Sequence, residues 1–289
     1  MIQKPSDSGN EGIRVRHNAD APEFAVHKIS LITTCMGRLS FLKQTLPNWI
    51  ATTSFPIVVV DYSCPERTGN WIERSGFESR VSVVRQTAEL RNGLPEFNTS
   101  KARNAGAAAV KEGYLLFLDA DTLLSPEFEN WLLSKIDPGS ICLVPLHHDT
   151  MELGGALATH TSSFMAVRGF DERIQGWGSE DIDLKIRLRL LGLNCKEIPR
   201  NCLKAIHHSN ALRVENHAQK DLNTTAVLNA AYLNAKYRRL TGKSYASWSK
   251  DPAMNDIFFM EEPTAPDLTE NHKETEAIPN FNGETHEQR

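Results

Sequence analysis

No stretch of this sequence approaches the roughly 20 consecutive apolar residues of a membrane-spanning helix. Its longest apolar runs, such as Pro56 to Val60 and Tyr114 to Leu118, are far shorter. An integral membrane protein is therefore not expected, although peripheral contact with a membrane stays open. Met1 to Gly12 is polar and lacks the basic stretch, apolar run and small-residue cleavage site of a secretory signal. Cysteine is scarce, scattered and odd in number (Cys35, Cys64, Cys142, Cys195, Cys202), which argues against a disulfide framework and for a reducing, cytoplasmic setting. Cys64 and Cys142 read as small apolar residues in or beside strands. No basic stripe is present, so nucleic acid is not an expected partner. No internal repeat is found either.

What is present suits one large α/β domain: 289 residues, of which 40% are hydrophobic, allow a sizeable core. The net charge of -4 is unevenly placed. From Glu261 to Arg289 there are eight acids and two bases, leaving a body that is slightly positive and suited to a small anionic ligand. That tail, almost without large apolar residues, is expected to be disordered. The resulting plan is a polar lead-in over 1–26, one domain over 27–260 and the acidic tail over 261–289. Within the domain, residues 27–125 and 126–210 read as two halves and 211–260 as a helical extension.

Along the chain, Lys28 to Thr34 reads as a buried strand. A helix follows, capped by Ser40, with Phe41, Leu42, Thr45, Leu46 and Trp49 at helical spacing. Ile57-Val58-Val59-Val60 is a continuous β-branched run, as in a parallel strand covered on both faces, and it ends at Asp61. Val81 to Arg85 repeats the pattern more weakly. An alanine-rich helix over Ser100 to Lys111 precedes the apolar strand Tyr114 to Leu118, which ends in Asp119-Ala120-Asp121. This order predicts a doubly wound, Rossmann-like α/β fold whose mixed, mainly parallel sheet is flanked by helices, with ligands at the carboxyl ends of the strands.

Between Ser179 and Gly192, strict alternation of apolar and charged residues favours a strand. The charge order favours a helix: Glu180, Asp181 and Asp183 come first and Lys185, Arg187 and Arg189 last, matching the macrodipole. With Ser179 as N-cap and Gly192 as C′ residue, the segment predicts a helix whose apolar stripe is Ile182, Ile186, Leu190 and Leu193. Asn210 to Leu240 is expected to be helical as well.

Two carboxylates one residue apart at the end of a buried strand can share a hard divalent cation, Mg²⁺ or Mn²⁺, that grips a diphosphate. The alternative is a strand-end turn in which Asp119 and Asp121 bond only local amides. Context decides between them. Thr34-Cys35-Met36-Gly37-Arg38, Asp61, Lys101-Ala102-Arg103-Asn104-Ala105-Gly106 and Phe117-Leu118-Asp119-Ala120-Asp121 stand in the order of family 2 glycosyltransferases of the GT-A fold. Gly169-Phe170-Asp171-Glu172 and Gly176-Trp177-Gly178-Ser179-Glu180-Asp181 resemble the C-terminal half of Golgi beta-galactosyltransferases, so that the likeness spans about residues 28 to 210.

The resemblance implies an inverting, metal-dependent transferase moving a sugar from a nucleoside-diphosphate donor, a UDP-sugar by preference, to a hydroxyl acceptor such as a glycan. It assigns Thr34, Arg38 and Asp61 to the nucleoside, and Arg103, Asn104 and Asp119 to the donor. Family members usually carry Pro-x-x-Asn-Arg in the first loop, from which this chain departs. Asp181 takes the part of general base, Glu180 holds the acceptor and Trp177 offers it a flat apolar face. The metal shell is assigned to Asp119, Asp121 and a histidine, His207 or His208. A zinc site from Cys195, Cys202 and that histidine pair has the wrong cysteine spacing. The sugar and linkage depend on loops such as His147 to Gly155. Two other functions compete: a nucleotidyltransferase acting on a sugar phosphate, which would need a glycine-rich phosphate loop that Gly37 alone does not supply, and a non-catalytic sugar- or nucleotide-binding module.

Overall fold

The aliphatic runs of the sequence become the middle of a seven-stranded sheet. The computed structural model describes residues 28–145, 152–248, 250–251 and 254. In order, these form β1 (Ile29–Cys35), α1 (Leu39–Thr52), β2 (Ile57–Tyr62), α2 (Thr68–Glu73), β3 (Val81–Gln86), β4 (Glu89–Arg91), β5 (Leu94–Glu96), α3 (Thr99–Ala108), β6 (Tyr114–Phe117) and β7 (Thr122–Leu124). There follow α4 (Phe128–Lys135), β8 (Ser140–Leu143), β9 (Leu157–His160), α5 (Thr161–Ala166), α6 (Glu180–Leu190), β10 (Asn194–Glu197), β11 (Leu203–Ala205), α7 (Asn210–Val214), α8 (Leu222–Thr241) and α9 (Tyr245–Trp248). The main sheet has the order β10-β8-β9-β6-β1-β2-β3. It is mainly parallel, with β9 running antiparallel to both β6 and β8.

Both faces of the sheet are covered, which explains why its strands read as unbroken apolar runs. On one face Leu31, Val59 and Leu116 pack with Leu42, Leu46 and Trp49 of α1 and Phe128 and Leu132 of α4. On the other, Ile32, Val58, Leu115 and Phe117 meet Leu184 and Leu188 of α6 and Leu233 and Tyr237 of α8. Helix α3 lies so close to the sheet that a Cβ at Gly106 would come within 2.5 Å of Ile32 and 2.9 Å of Val60. Only glycine fits there.

Several boundaries differ from the sequence reading. Ser40 lies inside α1 and caps nothing; the Leu39 amide donates to Glu66 at 2.9 Å instead. Helix α6 forms as the charge order requires, but Ser179 sits at φ 78° with no side-chain capping bond. Its C-terminus is a Schellman closure, with Gly192 donating to Arg189 and Leu193 to Leu188. The buried apolar residues of α6 are Leu184, Ile186 and Leu188, whereas Leu190 is exposed. The helix is enclosed on nearly all sides, so even Asp183 and Lys185 are inaccessible and the simple stripe fails. The helical stretch expected over Asn210 to Leu240 forms as two helices, α7 and α8, the second started by the Asp221 carboxylate accepting from Asn223 and Thr224. The lead-in over 1–26, the tail from Glu261 and residues 146–151 of the loop around His147 lie outside the described residues. Among the described residues no helix is long and apolar enough to cross a membrane.

Candidate active site

The carboxyl ends of β1 and β6, the N-terminus of α6 and the segment after β11 surround one cleft. Its acidic floor is the turn Asp119-Ala120-Asp121, which α1 holds from behind. Thr45 donates its hydroxyl to the Ala120 carbonyl at 2.8 Å, and the Trp49 indole N–H donates to Thr122 at 2.7 Å. The helical stripe of α1 therefore fixes the carboxylates as well as the core.

Strand β11 pairs antiparallel with β7, and the Ile206 amide donates to the Asp121 carbonyl at 2.8 Å. This register carries His208 onto Asp121, Nε2 to Oδ2 2.7 Å, with both side chains nearly buried. His207 points away, largely exposed, and pairs with Glu152 at 3.0 Å. Burial and the charge of Asp119 hold the Asp121 carboxyl above its ordinary range, against the opposing pull of His208. Among the described residues no three histidine, cysteine or acidic side chains converge on one point. Of the expected set of Asp119, Asp121, His207 and His208, Asp121 and His208 meet directly, while Asp119 pairs with Arg103 and His207 with Glu152. A carboxylate and an imidazole fit Mn²⁺ or Mg²⁺ when phosphate oxygens and water supply the other positions.

Arg103 is buried at the junction of the two acidic clusters. It donates from Nη2 to Asp119 at 2.7 Å and from Nη1 to Glu180 at 3.0 Å. Burial disfavours its charge, but Asp119 and Glu180 outweigh burial and keep it firmly protonated. Gly155 closes this corner: a Cβ there would lie 2.3 Å from Asp119 and 2.7 Å from Arg103.

Glu180 and Asp181 open α6 and face the cleft. Glu180 is 8% exposed, and its Oε2 is buried without a hydrogen-bond partner among the described residues. Burial, reinforced by the charge of Asp181, pushes its carboxyl up to about 7 against the pull of Arg103. A buried carboxylate oxygen left unpaired is costly unless a ligand completes it. One turn further on, the inaccessible Lys185 ammonium donates to the Val144 and Gly154 carbonyls at 3.0 and 2.7 Å. Helix α6 thereby also positions the backbone beside Gly155. Trp177 lines the cleft with the Arg213 guanidinium 5.7 Å from its ring centre.

Thr34 and Arg38 line the opposite end. The Arg38 guanidinium donates to the carbonyls of Gly37 and Leu212, tying the loop after β1 to α7. Asp61 and Asn104 are not where the sequence reading put them. Asp61 is consumed by its own loop, accepting from the Cys64 amide at 2.9 Å and the Gly69 amide at 2.7 Å. Asn104 staples the Gly169–Glu172 turn, donating to the Phe170 carbonyl and accepting from the Phe170 amide. Neither lines the cleft. Sequence reasoning missed Phe97, Glu152, Arg213, Asn216 and His217, all of which do. Asn216 donates to the Met36 carbonyl at 2.8 Å, and burial drives the His217 ring down to about 4, so that it is neutral. These residues arrive by long-range packing and carry no local signal.

Comparison with known proteins places this geometry. Residues 145–212 match the family model described as the N-terminal domain of galactosyltransferase. Beta-1,4-galactosyltransferase 7 of Drosophila melanogaster is 24% identical over 249 residues, covering 81% of this chain and 69% of that protein. Beta-1,4-galactosyltransferase 4 of Rattus norvegicus is 29% identical over 128 residues, which span 42% of this chain and 36% of that protein. Among solved structures, GalNAc-T7 with UDP, GalNAc and Mn²⁺ superposes with a TM-score of 0.55 at 17% identity, over 79% of this chain and 57% of that one. The fold is that of GT-A glycosyltransferases, and residues 145–212 are similar to a galactosyltransferase segment.

Proposed function

We propose that this GT-A glycosyltransferase moves a sugar from a UDP-sugar to a hydroxyl of a glycan acceptor, with inversion at the transferred carbon. The observation that carries the reading is the unpaired, buried Oε2 of Glu180, next to Asp181 in the cleft whose floor holds Asp121 and His208. An acceptor hydroxyl donating to Glu180 would satisfy that oxygen. Asp181 then takes the hydroxyl's proton as the oxygen attacks, and Trp177 carries the apolar face of the acceptor ring. Arg103 holds Asp119 and Glu180 in register through its two hydrogen bonds, and Thr34 and Arg38 border the nucleoside end.

Asp121 and His208 are the residues that would hold a divalent cation, with Asp119 adjacent. When bound there, the cation neutralises charge on the departing diphosphate. Mn²⁺ is favoured by the imidazole ligand and by its presence with UDP and GalNAc in the superposed relative. UDP-galactose is the first donor to test, because the segment matching the galactosyltransferase model contributes Gly155, Trp177, Glu180, Asp181 and His208 to the cleft. A single displacement needs one base and no covalent intermediate, and Asp181, beside Glu180 in the cleft, supplies that base.

The test is a thermal-shift screen of nucleotide sugars with Mn²⁺, followed by assay of UDP release. A UDP-sugar should raise Tm only when the metal is present, and Asp121→Ala should abolish the shift. An equal shift in Asp121→Ala, or none for any nucleotide sugar, contradicts the reading.

A further inference from the structure

Beside the cleft lies a second groove of about 400 Å³, between the β4–β5 hairpin, residues 173–176 and the first turns of α8. It falls within the size range of small-molecule sites. Four consecutive residues stand between the two depressions: Gln175 and Gly176 line the groove, and Trp177 and Gly178 line the cleft. Gly176 and Gly178 carry no side chain, so the ridge presents only those of Gln175, which lines the groove, and Trp177, which lines the cleft.

That ridge is a built feature. At Gly176, φ is 72° and a Cβ would stand 2.7 Å from Thr225 of α8, so the loop lies directly on the helix. Asn229 donates to the Gln175 and Gly178 carbonyls at 3.1 and 2.9 Å. From the other side, Arg91 of the hairpin donates to Gln175 Oε1 at 2.9 Å. The hairpin itself turns through Asn92 and Gly93, both at positive φ, as a tight two-residue connection requires. The wall of the cleft is thus clamped by the same elements that form the groove.

The lining offers the amides of Asn92 and Gln219 and an apolar edge at Leu228, 60% exposed, next to Tyr232, whose ring lies 5.5 Å from the Arg173 guanidinium. Its charges are internally matched. Arg91 pairs with Glu96, and Arg173 with Asp171 at 2.9 Å. A neutral sugar suits such a surface better than an acidic one, because no cation lacks an opposing carboxylate.

We infer that this groove binds the second sugar of a neutral oligosaccharide acceptor, whose terminal sugar lies against Trp177. The inference rests on the acceptor reading of Trp177, Glu180 and Asp181 given above. It makes the chain an enzyme that extends oligosaccharides, with the hairpin and α8 setting the acceptor's minimum length.

The experiment titrates the full chain, with UDP and Mg²⁺ present, with cellobiose, xylobiose and lactose and with glucose, xylose and galactose, following affinity by NMR. It is repeated with Leu228→Trp, which fills the groove from an exposed helix position, and with Leu228→Ala as the control for size. At least one disaccharide should bind the parent tenfold or more tightly than the sugar at its terminus. Leu228→Trp should erase that advantage while Leu228→Ala keeps it, and monosaccharide affinity should stay within twofold in both. Parent affinities that do not rise from mono- to disaccharide, or an advantage that survives Leu228→Trp, overturn the inference. UDP release from UDP-sugars, assayed separately, reports on the transferase reading, so the two can fail independently.

Discussion

Arg103 stands between Asp119 and Glu180, and so joins the diphosphate side of the cleft to its acceptor side through one guanidinium. The two neighbouring acids of α6 then divide their work by environment. Asp181→Asn keeps the shape but cannot take a proton, so turnover should fall by about a hundredfold or more while donor affinity hardly moves. Stopped assays with donor titrations check both. Glu180 leaves a pH signature. Its carboxyl lies above the ordinary 4.5, at about 7, so the stability it lends is full below the lower value and is lost as pH rises to the upper one. Tm measured from pH 4.5 to 7 should therefore show Glu180→Gln gaining on the parent as pH rises; a constant offset would contradict this. The histidines should separate equally clearly. His208→Ala should raise the Mn²⁺ concentration for half-maximal rate by about tenfold or more, on the scale of losing one ligand contact, whereas His207→Ala should not.

At the scale of elements, the sheet positions the chemistry by close approach. Adding one methyl at Gly106 pushes α3, and Arg103 with it, away from Ile32 and Val60. Gly106→Ala should lower stability by roughly 1–3 kcal/mol, the usual range for overpacking, read as a lower urea midpoint with an unchanged slope. The legible elements were those whose local pattern has one physical cause. Strands β1, β2 and β6 are apolar because both faces are covered, and α6 betrayed itself by the order of its charges. Strand β9 stayed hidden because Thr159 and His160 leave it without a fully apolar run like that of β6. The β4–β5 hairpin had its turn signal in Asn92-Gly93 but no apolar alternation beside it. Within the site, Asp119, Asp121, Glu180 and Asp181 were legible because each closes a strand or opens a helix. The choice of His208 over His207 was not, since the register of β11 on β7 makes it. Asp61 and Asn104 stand outside the cleft lining for a related reason: nearby backbone groups hold their polar atoms, which a motif does not reveal.

Across the whole molecule, the described elements run from Ile29 to Trp248 and place every proposed catalytic group in one cleft. The acidic residues from Glu261 onward carry almost no core-forming side chains. A chain ending at Met260 should therefore keep its Tm and its turnover within about twofold; a large loss of either would show that the tail docks on the body. The central claim, single displacement by Asp181 on a donor held above Asp121 and His208, is tested most directly by the anomeric configuration of the transferred sugar. Proton NMR of the product formed from an α-linked UDP-sugar should show the large H1–H2 coupling of a β-glycoside when the sugar has the galactose or glucose configuration. An α-glycoside would mean retention, and would remove Asp181 from the role of base in a one-step transfer.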